Sequence, residues 1–375
     1  MCSEIMRRLN QFVLGCVLLS LTACFKKETP ITLPQGNSQI TTCFIGNDYE
    51  NNVYFDLSSN AFQIHLSDDW DLRFETADTA WGVFINTGNN LKVYKTDLYS
   101  LNDARSKDSN YIKTFQFAVD APEGLARASA IADWRHFKRQ STDSVGVYVL
   151  NLSYGKGADY YACFQILKVT ARAYSIAVSR LNQQRIDTFL IAKDQTANYS
   201  YFSFANGGQL IHNVEPDKTQ WDFMFTRYNH NFMGILPNNQ PFPYRVAGVL
   251  TNRNGVKVAK DSTTGFEKID ASCVPKYLFS SMANAIGYDW KSHAFGAVGN
   301  YVVNAKITYI IQDTDGQIYK LRFLDFYNVK AEKGYPKFEF LRIRWAYIRA
   351  KTFLFLGQIV WIIDKILEMG LKGWA

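Results

Sequence analysis

The chain is 375 residues long, 15% aromatic and 20% charged, with a formal net charge of +7. Much of that positive charge sits near the two ends, and no basic stripe runs through the body, so the composition argues against a nucleic-acid partner. High aromatic content with few helix-periodic stretches predicts an all-β body, long enough for two domains.

The first residues read as an export signal. Arg7 and Arg8 precede the apolar run Phe12–Leu21, and Leu21-Thr22-Ala23-Cys24 follows. A basic start, a short apolar core and small residues before a cut describe a cleaved signal peptide over residues 1–23. Leu-Thr-Ala-Cys is a lipobox, so Cys24 is expected to become the lipidated first residue of a protein held at the outer membrane or cell surface. Residues 24–40, with Pro30 and Pro34, read as a tether. The cysteines left beyond it, Cys43, Cys163 and Cys273, are odd in number and widely spaced, which yields no disulfide framework and no CxxC metal site.

From there the chain contains one unit twice. Asp69-Trp70-Asp71-Leu72-Arg73-Phe74 matches Gln220-Trp221-Asp222-Phe223-Met224-Phe225. Gly82-Val83-Phe84 before Asn86 matches Gly248-Val249-Leu250 before Asn252, and Lys92-Val93 matches Lys257-Val258. Ala130-Ile131 with Trp134 matches Ala285-Ile286 with Trp290, and Ser175–Leu181 stands where Lys337–Ile343 does. Such ordered matches mark a tandem duplication, with domains expected over 41–190 and 191–343 and a boundary near Gln184–Ala197. Trp70 and Trp221 are expected to be buried in the cores of separate domains. The second copy carries a longer connection, Tyr228–Arg245, expected to be either a loop that serves binding or a simple hairpin elaboration.

Near the C-terminal end, Ile307–Phe326 reads as a β-hairpin. Ile307, Tyr309 and Ile311 alternate into Asp313-Thr314-Asp315-Gly316, and Tyr319, Leu321 and Phe323 share one face of the return limb. Hydrophobic residues stand where later oxygen ligands of a calcium loop would be, which argues against calcium. Tyr335–Ile343 forms a third limb, which Pro336 is expected to push to a sheet edge. The tail 344–375 reads as a short helix: its apolar run Thr352–Ile363 falls short of the ~20 residues needed to cross a bilayer.

Tyr201-Phe202-Ser203-Phe204, Trp221-Asp222 with Thr226-Arg227-Tyr228, Ile286-Gly287-Tyr288-Asp289-Trp290-Lys291-Ser292 and the hairpin are together specific. On these segments the second copy, about Tyr201–Ile343, resembles the HmuY family of haem-binding bacterial outer-membrane lipoproteins. The first copy looks like a diverged relative. The resemblance implies two tandem antiparallel β domains, anchored by lipid and capturing haem or a related tetrapyrrole for delivery to an outer-membrane receptor. The alternative is a surface lipoprotein of the same fold that binds a glycan or a partner protein instead.

Haem iron takes axial ligands such as His or Met. The family's best-known arrangement supplies one histidine just after the tryptophan strand. Here an ungapped reading puts Phe295 there, with His293 two residues earlier. For the earlier ligand, Gly255–Tyr277 holds no His or Met, only Lys257, Cys273 and Tyr277, and Met282 lies a little beyond. The candidate haem-binding residues are therefore His293, Met282, and His230 and Met233 of the long connection. No GxSxG, HExxH or phosphate loop appears, so the expectation is a binding protein, not an enzyme, with no metal beyond haem iron.

Overall fold

The computed structural model describes residues 37–343 except 109, 133, 135–145, 154–159, 182, 184 and 294–300. Cys24, the signal segment, most of the tether, Phe295 and the tail 344–375 lie outside the described residues.

In chain order the strands are β1 (Gln39–Thr42), β2 (Asn51–Asp56), β3 (Ala61–Leu66), β4 (Leu72–Glu75), β5 (Val83–Ile85) and β6 (Lys92–Lys95). A five-residue helix, α1 (Leu101–Arg105), precedes β7 (Tyr148–Asn151), β8 (Tyr161–Val169), β9 (Ala173–Arg180) and β10 (Ile186–Ala192). Then come β11 (Tyr199–Ser203), β12 (Gln209–Ile211), β13 (Phe223–Phe232), β14 (Phe242–Thr251), β15 (Lys257–Asp261), β16 (Lys291–His293) and β17 (Tyr301–Val303). The chain closes with β18 (Thr308–Gln312), β19 (Ile318–Tyr327) and β20 (Lys333–Ile343). The fold is all-β and antiparallel.

Two sandwiches result. The first sets the sheet β10-β9-β8-β7-β6 against β12-β11-β4-β5, and the second sets β1-β20-β19-β18-β15 against β14-β13-β2-β3. Alternation along each strand fills the space between sheets: Leu72, Phe74, Phe164, Ile176 and Phe202 in the first core, Phe55, Phe223, Tyr309, Phe323 and Phe338 in the second. Cys163 and Cys43 are both buried, and burial pushes each thiol up to about 12, so both act as small apolar fillers.

The strand orders are the same strand for strand, yet sheet membership cuts across a division at 190/191. β1, β2 and β3 complete the sandwich of the second copy, and β11 and β12, with β10 astride the division, complete that of the first. Each copy thus lends its leading strands to the other. The repeated motifs make the same bonds in both places. The Asp222 amide donates to the Phe55 carbonyl at 2.8 Å, and the Asp71 amide to that of Phe202 at 2.8 Å. Asp222 Oδ2 accepts from the Leu57 amide at 2.8 Å, and Asp71 Oδ2 from the Phe204 amide at 2.6 Å. Asn252 Nδ2 donates to the Trp221 carbonyl at 2.6 Å, and Asn86 Nδ2 to that of Trp70 at 2.8 Å.

Trp70 and Trp221 are buried, but not in the two main cores. They lie on the opposite faces of the four-stranded sheets, Trp221 edge-on to Tyr54 at 5.1 Å and Trp70 edge-on to Tyr201 at 5.2 Å. Tyr54 lies beside Tyr201, Arg73 and Glu215, so these faces join the sandwiches. By pleat parity each tryptophan would share the face of Phe74 or Phe225, but it precedes its strand, and the bend at Asp71 or Asp222 turns it to the other face.

The Ile307–Phe326 hairpin is present as β18 and β19, with Asp313 Oδ1 accepting from the Gln317 amide at 2.6 Å and Gly316 at φ 79°. The third limb is not an edge strand, because β1 pairs along its outer side. Pro336 is tolerated there because the ladder to β19 is irregular between the pairs Asp325–Lys337 and Tyr327–Lys333.

Candidate functional site

The connection Tyr228–Arg245 is not a loop. It is the outer part of a long hairpin, paired Tyr228 to Val246, His230 to Tyr244 and Phe232 to Phe242. Its period-2 pattern of aromatic residues is a strand pattern, and left-handed Asn238 and Asn239 turn the tip. β13 pairs with β2 only through Phe223, Met224 and Phe225, so the rest projects as a two-stranded arm.

The segment Gly287–His293 runs beside this arm. Val249 and Gly287 exchange both backbone hydrogen bonds, at 2.8 and 3.1 Å. Gly248 must be glycine for that approach: a Cβ would meet the Gly287 carbonyl oxygen at 2.6 Å and Tyr288 Cα at 2.9 Å. Tyr288 then packs against His230 (4.7 Å between centroids) and Phe232 (5.5 Å). Trp290 is fully buried and stacks on Phe323 at 4.1 Å, which anchors the segment in the second core.

Between arm and segment opens a cleft of about 930 Å³ walled by Tyr49, Phe232, Tyr244, Tyr288 and Tyr301, with Arg227, Arg245 and Lys291 among its lining. Lys291 is 6% exposed and donates to the Ala247 carbonyl at 2.6 Å; burial pulls its amine down to about 7. Burial also lowers the His230 imidazole below its ordinary value, which keeps it neutral at pH 7. A neutral imidazole against aromatic walls is a competent donor to a haem-type iron. The rings offer flat apolar area, and the cations offer contacts for acidic groups. These residues fit a planar, carboxylate-bearing macrocycle.

The candidate residues separate here. His230 stands on the arm beside the cleft, and Met233 is 56% exposed at the arm's tip. His293 ends β16, opposite Tyr301 of the cleft wall, so its backbone borders the same space. Met282 is not in the cleft; its carbonyl accepts from Thr251 Oγ1 at 3.1 Å on the far side of the Val249–Gly287 bridge. Among the earlier-ligand alternatives, Tyr277 donates to Asp261 Oδ2 at 2.8 Å and Lys257 heads β15, both away from the cleft. Sequence reasoning missed Lys291, Arg245 and Tyr288 as cleft residues. The only signal for them was their place in the repeated segment and the extra-long connection.

Residues 243–340 match the family model described as HmuY protein. No curated protein matches the chain. Solved structures similar to it include apo PinO from Porphyromonas gingivitis, 9% identical, covering 82% of this chain and 98% of that one at a TM-score of 0.28. Another is a putative HmuY-like heme binding protein from Bacteroides vulgatus, 8% identical, with coverages of 83% and 96% and a TM-score of 0.22. A third is an apo HmuY analog from Tannerella forsythia, 10% identical, with coverages of 84% and 99% and a TM-score of 0.23.

Proposed function

We propose that this chain, HmuY-like over residues 243–340, is a lipid-anchored surface protein that captures haem or a related tetrapyrrole in the cleft beside the β13–β14 arm. Delivery to an outer-membrane receptor completes the reading. The observation that carries it is the coincidence of the matched segment with the cleft: Tyr244, Arg245, Tyr288, Lys291 and Tyr301 all fall inside it. His230 would supply a nitrogen to iron, and His293 stands on the adjoining strand. The rings of Tyr244, Tyr288 and Phe232 would cover the macrocycle faces and exclude water. When bound, the haem iron would add coordination to the protein's hold on the ligand.

Titration of the purified protein with haemin tests this. A saturable shift of the Soret band, weakened by His230→Ala, is the expected result. Absence of any shift in the ferric and ferrous states refutes it.

A further inference from the structure

Burial of Lys291 is at odds with apolar packing. Its ammonium group lies 4.5 Å from the Trp290 ring centroid, 5.0 Å from Phe326 and 5.2 Å from Tyr301, and only the Ala247 carbonyl accepts from it. Among the described residues no carboxylate lies within ion-pair distance of Lys291, Arg227 or Arg245. Asp289, which also lines the cleft, is held by Lys260, and Asp48 stands on the opposite wall segment beside Tyr49. A buried cation without a counter-charge is costly, and a ligand that brings one relieves that cost. Arg245 and Ala247 sit two residues apart on one face of β14, about 7 Å along the strand. Lys291 is bonded at Ala247, and Arg245 donates one of its N–H groups to the Gly88 carbonyl at 3.3 Å with its other donors uncommitted among the described residues, so both cations line the same cleft. Arg227 faces Ala247 across the ladder, but its guanidinium already donates to the Asp48 carbonyl (3.3 Å) and Ser67 Oγ (3.0 Å), and it contributes field more than contact.

We propose, resting on the tetrapyrrole reading, that Lys291 and Arg245 form a two-point carboxylate site, so that the ligand selected is a macrocycle with two free neighbouring acid side chains. Each charge-assisted contact strengthens where water is excluded, and an esterified ligand leaves the lysine unpaired.

The test compares metal-free protoporphyrin IX with its dimethyl ester by fluorescence titration of the wild type, Lys291→Met and Arg245→Gln, with haemin titrated alongside. The wild type is expected to prefer the diacid by about tenfold or more. Either substitution should remove most of that preference through weaker diacid binding. Arg245 is exposed, so its variant gives the answer even if Lys291→Met folds poorly. Equal affinity of the wild type for both porphyrins, or an undiminished preference in Arg245→Gln, overturns the carboxylate site while haemin binding leaves the tetrapyrrole reading standing. No binding of haemin or either porphyrin overturns both.

Discussion

Phe55 belongs to the first copy by sequence and to the second sandwich by contact. It is fully buried in β2, with ring centroids 5.2 Å from Phe223, 5.0 Å from Phe338 and 5.7 Å from Phe340. Phe55→Ala removes these three ring contacts and leaves a cavity between the sheets. Loss of the transfer term alone is about 1.5–3 kcal/mol, and with the cavity the cost reaches roughly 3–5 kcal/mol. Against a typical total of about 5–15 kcal/mol, that lowers the melting temperature by many degrees. Hydrogen exchange read by mass spectrometry locates the damage. Amide protection is expected to fall first in β13, β14 and β18–β20, far from Phe55 in sequence, and to hold in β4–β9. Phe202→Ala, on the matching strand β11, should do the reverse. If Phe55→Ala instead loosens β4–β9 first, the exchange of leading strands is refuted.

Lys291 has a folded value of about 7 against an ordinary 10.5, so between those limits the unfolded chain holds a proton that the folded protein has released. Stability therefore rises with pH across that window, by roughly 3 kcal/mol from pH 7 to 9.5 for this group, and Lys291→Met should remove that increment from denaturant titrations; an identical pH slope in both proteins contradicts the assignment. Gly248→Ala drives a Cβ into the Gly287 backbone and should cost roughly 1–3 kcal/mol and weaken haemin binding, whereas Gly265→Ala, whose Cβ meets nothing within 4 Å, should be near neutral; equal melting temperatures for the two would count against the close approach. Cys24→Ser should release the protein from membranes, and persistence in the membrane fraction after a salt wash would make the 344–375 tail an anchor.

Local pattern and repeat spacing carried much of this protein. Alternation in Ile307–Phe326 and Tyr335–Ile343 determined strands, because a half-buried strand must alternate whatever it packs on. The Trp-Asp and Gly-Val…Asn matches marked real equivalences, since Asp71 and Asp222, and Asn86 and Asn252, close the same hydrogen bonds. Pairing across copies was not legible. Asn51–Asp56 and Tyr199–Ser203 carry the same Tyr-Phe pair, one ring on each face, so each could fill either sandwich, and only the tertiary arrangement decided which. The same holds for the arm: Tyr228–Arg245 shows strand alternation, yet its length and prolines read as a loop until its two limbs pair. Lys291 is the clearest case. The sequence shows a lysine between Trp290 and Ser292, but its burial is imposed by Ala247, Tyr301 and Phe326, brought together from three separate strands. Charge at a position is written in one residue, whereas the environment that shifts it is a property of the packed whole.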